Sequence, residues 1–524
     1  MICSHNNRPI LVSRLLKHSL TPIILLLAIN LSAGLLTFRQ YGMSWDEPLF
    51  YNYADSIRMA YTPQAFAPGF DFYQVFGKSP EDHKIYGPAY LLLARPVEQA
   101  LSSVFQLDMA SAWHLVNFFT FQIGLYAFFL LARRWFAPWP AAATTAFLAW
   151  QPVFWGHAFI NPKDAPFMVL FLSALMLGLR LVDRLRQAGK KPWLSLLFAA
   201  IILGLASAVR VIGPLAGVLV FVYFLLSKNW RAFPYILAYS LMAVFIMFVF
   251  WPYLWADPVN RLMEVFKHMS NNPTELAVLF DGQIFHANEM PRRFLPQVFA
   301  MTLTEPTWIL FFLGIFIAIS SAWTRKLDWR APGVLLGFFV SMLAYLLYNK
   351  PSVYDGFRHF LFIMPPVFIM IGFSFQWLWQ KLKPAVCSII FIAALLPGLF
   401  GIVNLHPYEY AYYNLFVGGV GNAYRVFETE YWLTCYKEAV EWTRSNAPGS
   451  ILHIQREFPL AQYYAGELSI KDLGKEKESD IHPGDLLLFH TRGDLDIRSI
   501  YRKLPVEHVI GRENAEFCII KRKN

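Results

Sequence analysis

Long apolar runs separated by short polar turns dominate the chain. The first, residues 20–38, is long enough to cross a bilayer. Others cover residues 110–132, 139–159, 165–182, 193–210, 211–226 and 233–255. An eighth ends before Arg325, and three more cover 333–348, 360–379 and 385–403. The pattern predicts about eleven transmembrane helices. Alternate turns are rich in Lys and Arg: Arg133-Arg134, then Arg184, Arg186, Lys190 and Lys191, then Lys228 and Arg231. Arg325, Lys326 and Arg330 follow, and finally Lys381 and Lys383. Basic turns stay in the cytoplasm. Arg8, Arg14 and Lys17 place the N-terminus there too. Residues 20–38 carry no clear small-residue cleavage site, so they read as an anchor rather than a cleaved signal peptide.

Three stretches depart from this alternation. Residues 39–108 form a polar outer loop. Within it, 85–105 mixes an apolar face with Arg95, Glu98 and Gln99, which predicts helices lying in the membrane interface. Residues 256–305 form a second outer loop. Beyond residue 403 the period changes. Residues 437–444 read as a helix, and 450–455, 485–490 and 516–521 read as strands between Pro-Gly turns. The expected fold is an all-α polytopic membrane bundle over 1–403 with a small extracytoplasmic α/β domain over 404–524.

Composition agrees. Only 15% of the 524 residues are charged and 56% are hydrophobic, where soluble domains carry about a quarter charged. This suits a multi-pass protein of the cell (inner) membrane. The net charge of +10 sits in the inner turns and not in a basic stripe with interleaved aromatics. Membrane lipids are therefore expected partners, and nucleic acid is not. There are four cysteines and no CxxC. Cys3 lies in the N-terminal tail and Cys387 in an apolar run. Cys435 and Cys518 share the outer domain, where they either pair or stay as two thiols.

The polar clusters that could do chemistry all fall on the outer face. Polar groups at a membrane boundary need water, a partner or a substrate. In Ser44-Trp45-Asp46-Glu47-Pro48, Asp46 reads as a general base. Glu47 would position it or help hold a divalent cation. The plainer reading is a solvated loop or an acidic helix start. Asn161-Pro162-Lys163-Asp164 sits in a tight turn. Asp164 suits a helix N-terminus followed by Pro166, whereas Lys163 suits a phosphate. His157 upstream reads as a structural histidine. Tyr354-Asp355-Gly356-Phe357-Arg358-His359 opens a span, and Arg358 there fits either a phosphate or a lipid headgroup. Arg210, between two apolar runs, calls for a buried anionic partner. Tyr408 and Glu409 lie in an aromatic segment, 406–414, that would stack on sugar or form an interfacial belt.

These residues resemble the GT-C superfamily of membrane glycosyltransferases. The resemblance rests on the Asp46-Glu47 pair in the first outer loop of a many-span body, on residues 157–166 (HAFINPKDAP) and on 354–359 (YDGFRH). Residues 406–414 and 427–432 (FETEYW) add to it. The branch is the family 39-like group that includes protein O-mannosyltransferases and aminoarabinose lipid A transferases. The resemblance implies a polyprenyl-phosphate sugar donor, a hydroxyl acceptor (glycan, lipid or protein) and inversion at the anomeric carbon. It carries the family's first-loop Asp onto Asp46 and the neighbouring acid onto Glu47. It leaves a divalent cation open, although no Asp-x-Asp occupies the second outer turn. Lys163, Asp164, Arg210, Asp355, Arg358, His359, Tyr408 and Glu409 are the candidate substrate-binding residues. The rival reading is a transporter or flippase, which calls for charges or helix breaks near mid-span. A membrane scaffold whose tail binds partners is a third.

Overall fold

A computed structural model describes residues 19–187, 192–270 and 274–524. Cys3, Arg8, Arg14, Lys17, Lys190 and Lys191 fall outside them. Among the described residues six helices are long and apolar enough to cross a membrane: Met109–Ala132, Asp164–Leu185, Trp230–Val249, Pro306–Trp323, Arg330–Asn349 and Pro384–Leu405. Thr21–Thr37, Trp193–Ser207 and Pro214–Ser227 are apolar but shorter. Proline opens many of these helices, as at Pro138, Pro152, Pro214, Pro306, Pro365 and Pro384. Its fixed φ suits the first turn, where its missing N–H has no partner to lose.

Met109–Ala132 and Asp164–Leu185 form the buried centre of the bundle. Peripheral helices keep apolar faces outward at helical spacing. Ile309, Phe312, Phe316 and Ile319 make one exposed stripe, and Ile389, Ile392, Leu396, Phe400 and Val403 another. Such stripes suit contact with lipid.

Residues 139–159, expected as one span, are two helices, Pro138–Ala149 and Pro152–Ile160. Pro152 forces Gln151 into an extended conformation (φ −71°, ψ 122°). The Gln151 side chain then bonds Thr304, donating to its hydroxyl at 3.0 Å and accepting its N–H at 2.9 Å. Gly398 packs against this break, where a Cβ would stand 2.0 Å from the Trp150 carbonyl oxygen.

The two long loops, 39–108 and 256–305, carry secondary structure among their described residues. The first holds Glu47–Ser56 and the amphipathic Ala89–Phe105 helix, which buries Tyr90 and Ala94 and exposes Leu93 and Val97. The second is more structured than the sequence suggested. It contains helix Pro258–Ser270, a hairpin of β1 (Ala277–Phe280) and β2 (Gln283–His286), and helix Phe294–Thr302.

The C-terminal part is a mixed five-stranded sheet of β3 (Leu452–Ile454), β4 (Ile470–Asp472), β5 (Leu486–His490), β6 (Val506–Arg512) and β7 (Ala515–Arg522), in the order β4-β3-β5-β7-β6. Strands β4 and β6 were not expected; their residues are largely polar or half-exposed. Helix Tyr436–Asn446 stands where 437–444 predicted one. A disulfide joins Cys435 to Cys518 on β7. Leu486 and Leu488 join the apolar core that continues from the helices. Leu487 and Phe489, on the other face of the strand, form a small separate cluster with Ile481.

Candidate active site

The two acids of the first loop part company. Helix Glu47–Ser56 begins immediately after Asp46, and successive helical side chains diverge by about 100°. Glu47 is fully buried. The Ser44 N–H donates to its Oε2 at 2.5 Å, the Tyr51 hydroxyl donates to its Oε1, and His114 Nε2 lies 3.0 Å from the same oxygen. Ser44 Oγ donates to the Ile160 carbonyl at 3.0 Å, and the Trp45 N–H to the Trp432 carbonyl at 3.0 Å. Glu47 therefore fastens the turn. Expected to position Asp46 or to help hold a cation, Glu47 has its oxygens taken up by Ser44, Tyr51 and His114 and bonds no member of the salt-bridged set.

Asp46 turns instead toward cations. Its Oδ2 lies 3.2 Å from Arg358 Nη1 and 3.7 Å from Lys163 Nζ. Arg358 is the hub. Its Nε and Nη2 donate to Asp355 Oδ2 at 3.1 and 2.9 Å, and its Nη1 donates also to Asp164 Oδ2 at 3.2 Å. Arg210 pairs with the other oxygen of Asp164. The other oxygen of Asp355 accepts Arg492 Nη1 at 2.5 Å. The set thus joins four cations to three carboxylates and keeps one positive charge over. Asp46 is the open carboxylate: its side chain is 21% exposed, against 2% for Asp164 and 0% for Asp355.

Local sequence explains the placement. Asn161 Oδ1 accepts the N–H groups of Lys163 and Asp164 at 3.1 and 2.8 Å and so caps helix Asp164–Leu185. Asp355 and Gly356 both adopt positive φ (56° and 64°), which an Asp-Gly pair tolerates. That bend aims Asp355 back at Arg358. Aromatic faces complete the frame. Lys163 Nζ stands 4.8 and 4.7 Å from the ring centres of Phe50 and Tyr86, Arg358 lies 4.9 Å over Trp432, and Arg492 lies 4.5 Å over Trp45. His157 bridges Asn161 and the Tyr431 hydroxyl, each at 3.2 Å, as a structural histidine would.

The charges set the protonation states. Burial pushes Asp46 up, but Lys163, Arg358 and Arg492 outweigh it and hold the carboxyl below its usual range. Burial pulls Lys163 down to about 8, with Asp46 resisting and Arg358 and Arg210 adding to the fall. His359 is driven well below its ordinary value by burial and by Arg358, Arg210 and Lys163, so it is neutral. Its ring meets Tyr354 edge-on at 4.8 Å.

An apolar cavity of about 370 Å³ ends on this set. Leu215, Phe266, Met342, Leu346 and Phe360 line it, and Arg210, Tyr86 and His359 form its polar end. Arg210 Nε has no hydrogen-bond partner among the described residues.

Sequence reasoning missed Arg492, which follows β5 with no motif around it. It also left out Tyr86 and Trp432, although Trp432 closes the FETEYW string. Tyr408 and Glu409, expected to bind substrate, lie outside the set: neither bonds one of its members. Tyr408 donates to Glu438 at 2.8 Å, and Glu409 holds Tyr41 and His406 at 2.8 and 2.7 Å. Glu428 links β1 to the Arg492 turn by accepting the N–H groups of Leu279 and Gly493, each at 3.2 Å. Burial pushes it up to about 7 against the opposing pull of Arg492. Among the described residues no group of three or more His, Cys, Asp or Glu is arranged to hold a metal. The acids at the site face Lys and Arg instead.

No protein-family model and no curated protein matches the sequence. Solved structures do match its fold. ArnT from Cupriavidus metallidurans bound to undecaprenyl phosphate superposes with a TM-score of 0.50 at 13% identity, over 96% of this chain and 98% of that one. The archaeal oligosaccharyltransferase AglB from Archaeoglobus fulgidus, in complex with an inhibitory peptide and a dolichol-phosphate, superposes with a TM-score of 0.50 at 11% identity, over 92% of this chain and 70% of that one. Both are GT-C membrane glycosyltransferases, and at these identities the likeness is one of fold.

Proposed function

We propose that the protein is a membrane glycosyltransferase that moves a sugar from a polyprenyl-phosphate donor to a hydroxyl acceptor on the extracytoplasmic face, with inversion. One juxtaposition carries the reading: a partly exposed carboxylate, Asp46, belongs to a set holding one surplus positive charge, and that set reaches the polar end of an apolar cavity through Arg210. A lipid tail fits the cavity, and a phosphate fits Arg210, Lys163 and Arg358. The fold neighbours crystallised with undecaprenyl phosphate and dolichol-phosphate support that choice of donor. The Cys435–Cys518 disulfide supports an oxidising compartment for the C-terminal part.

In this reading the acceptor oxygen forms a bond to the anomeric carbon while the bond from that carbon to the phosphate oxygen breaks. The electron pair leaves on the polyprenyl phosphate, and the acceptor's proton passes to Asp46. Arg358, Arg210 and Lys163 stabilise the charge on the leaving phosphate; losing one such donor typically costs about a hundredfold in rate. Asp164 and Asp355 hold the arginines in place. Donor phosphate beside Asp46 raises the basicity of that carboxylate by like-charge repulsion, so the base strengthens once the donor arrives. No divalent cation enters these steps. The rival transporter reading finds a mid-span break at Gln151 but no charge there: the site charges sit at helix ends and in turns.

The test is purified protein with a polyprenyl-phosphate sugar. Free polyprenyl phosphate is expected with native protein and not with Asp46→Ala. Normal turnover by the alanine variant would overturn the base assignment.

A further inference from the structure

A second cavity, of about 360 Å³, lies apart from Asp46 and its partners. It opens where the first and last apolar helices end. Arg39 and Gln40 follow helix Thr21–Thr37, and His406 follows helix Pro384–Leu405. The other wall is helix Tyr436–Asn446, which supplies Lys437, Glu438 and Glu441, with Arg512 from β6 beside it. The aromatic segment singled out in the sequence thus borders this cavity, through His406 and Tyr408, rather than the Asp46 set.

Its charges are separated. Arg512 and Glu438 satisfy each other at 3.0 Å. Lys437 Nζ is bound by the carbonyls of Arg39 and Tyr41 and not by a carboxylate. Arg39 and Glu441 are both exposed and have no ion-pair partner among the described residues. Once the satisfied pair is set aside, Arg39 on one wall and Glu441 on the other are the charges left without an ion pair, Glu441 standing one helical turn from Lys437 and acting on it electrostatically. A simple anion would answer Arg39 alone, and a simple cation Glu441 alone. A ligand with both a phosphate and a protonated amine answers both poles.

The surroundings identify the source. Leu36 is 79% exposed at the end of the first helix, and Val403 is 72% exposed at the end of the last. Both helices pack on Pro138–Ala149, which brings their ends to one side of the bundle. Apolar side chains leading to a polar cavity at the ends of two apolar helices match a lipid with its tails along the helices and its headgroup between the poles. We propose that this cavity binds the headgroup of a membrane phospholipid that carries a phosphate and a primary amine, the phosphoethanolamine type.

The experiment uses the full chain, purified in detergent and loaded with one lipid at a time, with bound lipid counted by native mass spectrometry. One phosphatidylethanolamine should be retained, about tenfold or more tightly than phosphatidylglycerol or phosphatidylcholine, since one lacks the amine and the other cannot donate from it. Glu441→Gln should abolish that preference, and Arg39→Gln should weaken retention of all three lipids, since each carries the phosphate. Both positions are exposed, so the fold should stand, and retained undecaprenyl phosphate binding checks this. Displacement of the lipid by soluble O-phosphoethanolamine would support recognition of the headgroup itself. Equal retention of all three lipids by the native protein, or a preference untouched by Glu441→Gln, overturns the proposal. No turnover is read, so a failure here leaves the glycosyltransferase reading standing, and the converse also holds.

Discussion

Arg358 Nη1 touches Asp46 Oδ2 at 3.2 Å across 312 positions of sequence. The contact closes the bundle: it ties the turn after the first apolar helix to the turn before Pro365–Lys381. Lys163, Asp164 and Asp355 meet one of these two residues directly, and Arg210 and Arg492 join through Asp164 and Asp355.

Arg358 answers three carboxylates from within the protein, so its loss leaves Asp355 and Asp164 short of a buried partner. Arg358→Met should cost about 3–5 kcal/mol of stability and lower the thermal midpoint measured by intrinsic fluorescence. Asp46→Asn removes the most exposed acid and should shift the midpoint far less. Its effect belongs in turnover, as a loss of about a hundredfold or more.

Lys163 yields a pH profile with a defined sign. Its folded-state value is depressed to about 8, so the protein without donor loses this charge as pH rises through about 8. If Lys163 receives the donor phosphate, kcat/KM should fall on that alkaline side. In kcat the limb should move to higher pH, because bound phosphate favours the protonated amine. Lys163→Arg should carry the kcat/KM limb upward by about two units or more, since a guanidinium stays charged. An unchanged limb in the arginine variant would exclude Lys163 as its source.

The cavity makes a prediction about chain length. Leu215→Trp or Met342→Trp fills the apolar part without touching Arg210. Either should raise KM for a long polyprenyl donor by about tenfold, while a short-chain analogue that leaves this volume free should change less than about twofold. Equal effects on both donors would place the tail elsewhere.

Glu428 provides a stability test independent of substrate. Its folded value, raised to about 7, exceeds the ordinary carboxyl value of the unfolded chain. The folded form therefore holds a proton that the unfolded form gives up between those values. The group loses stabilising effect as pH climbs from about 4.5 to 7, by on the order of 3 kcal/mol. Glu428→Gln, which cannot ionise, should gain on the native protein between pH 5 and pH 8. The readout is the difference in denaturant midpoints at the two pH values.

Much of the site was legible because its members sit in short turns between apolar runs, where a charge has few other reasons to be. Lys163, Asp164, Arg210, Asp355 and Arg358 all announce themselves that way. Arg492 does not. It comes from the turn after β5, in a stretch rich in charged residues, and its partner Asp355 lies 137 positions away. The divergence of Asp46 and Glu47 was hidden for another reason: adjacency in sequence suggests a shared task, but the start of a helix turns neighbours apart. The break at Gln151 was also masked, since residues 139–159 are apolar on both sides of it and only Pro152 marks the interruption. The β1–β2 hairpin is four residues per strand, too short for alternation to stand out in a stretch read only as an outer loop.

The alternation of sign along Lys163, Asp46, Arg358, Asp355 and Arg492 has an evolutionary corollary. Changing the charge of any buried link strands its neighbour, so single steps away from this arrangement are penalised. Divergent descendants should alter such positions in matched couples or leave them untouched, and a gene tree of the lineage would record those paired replacements.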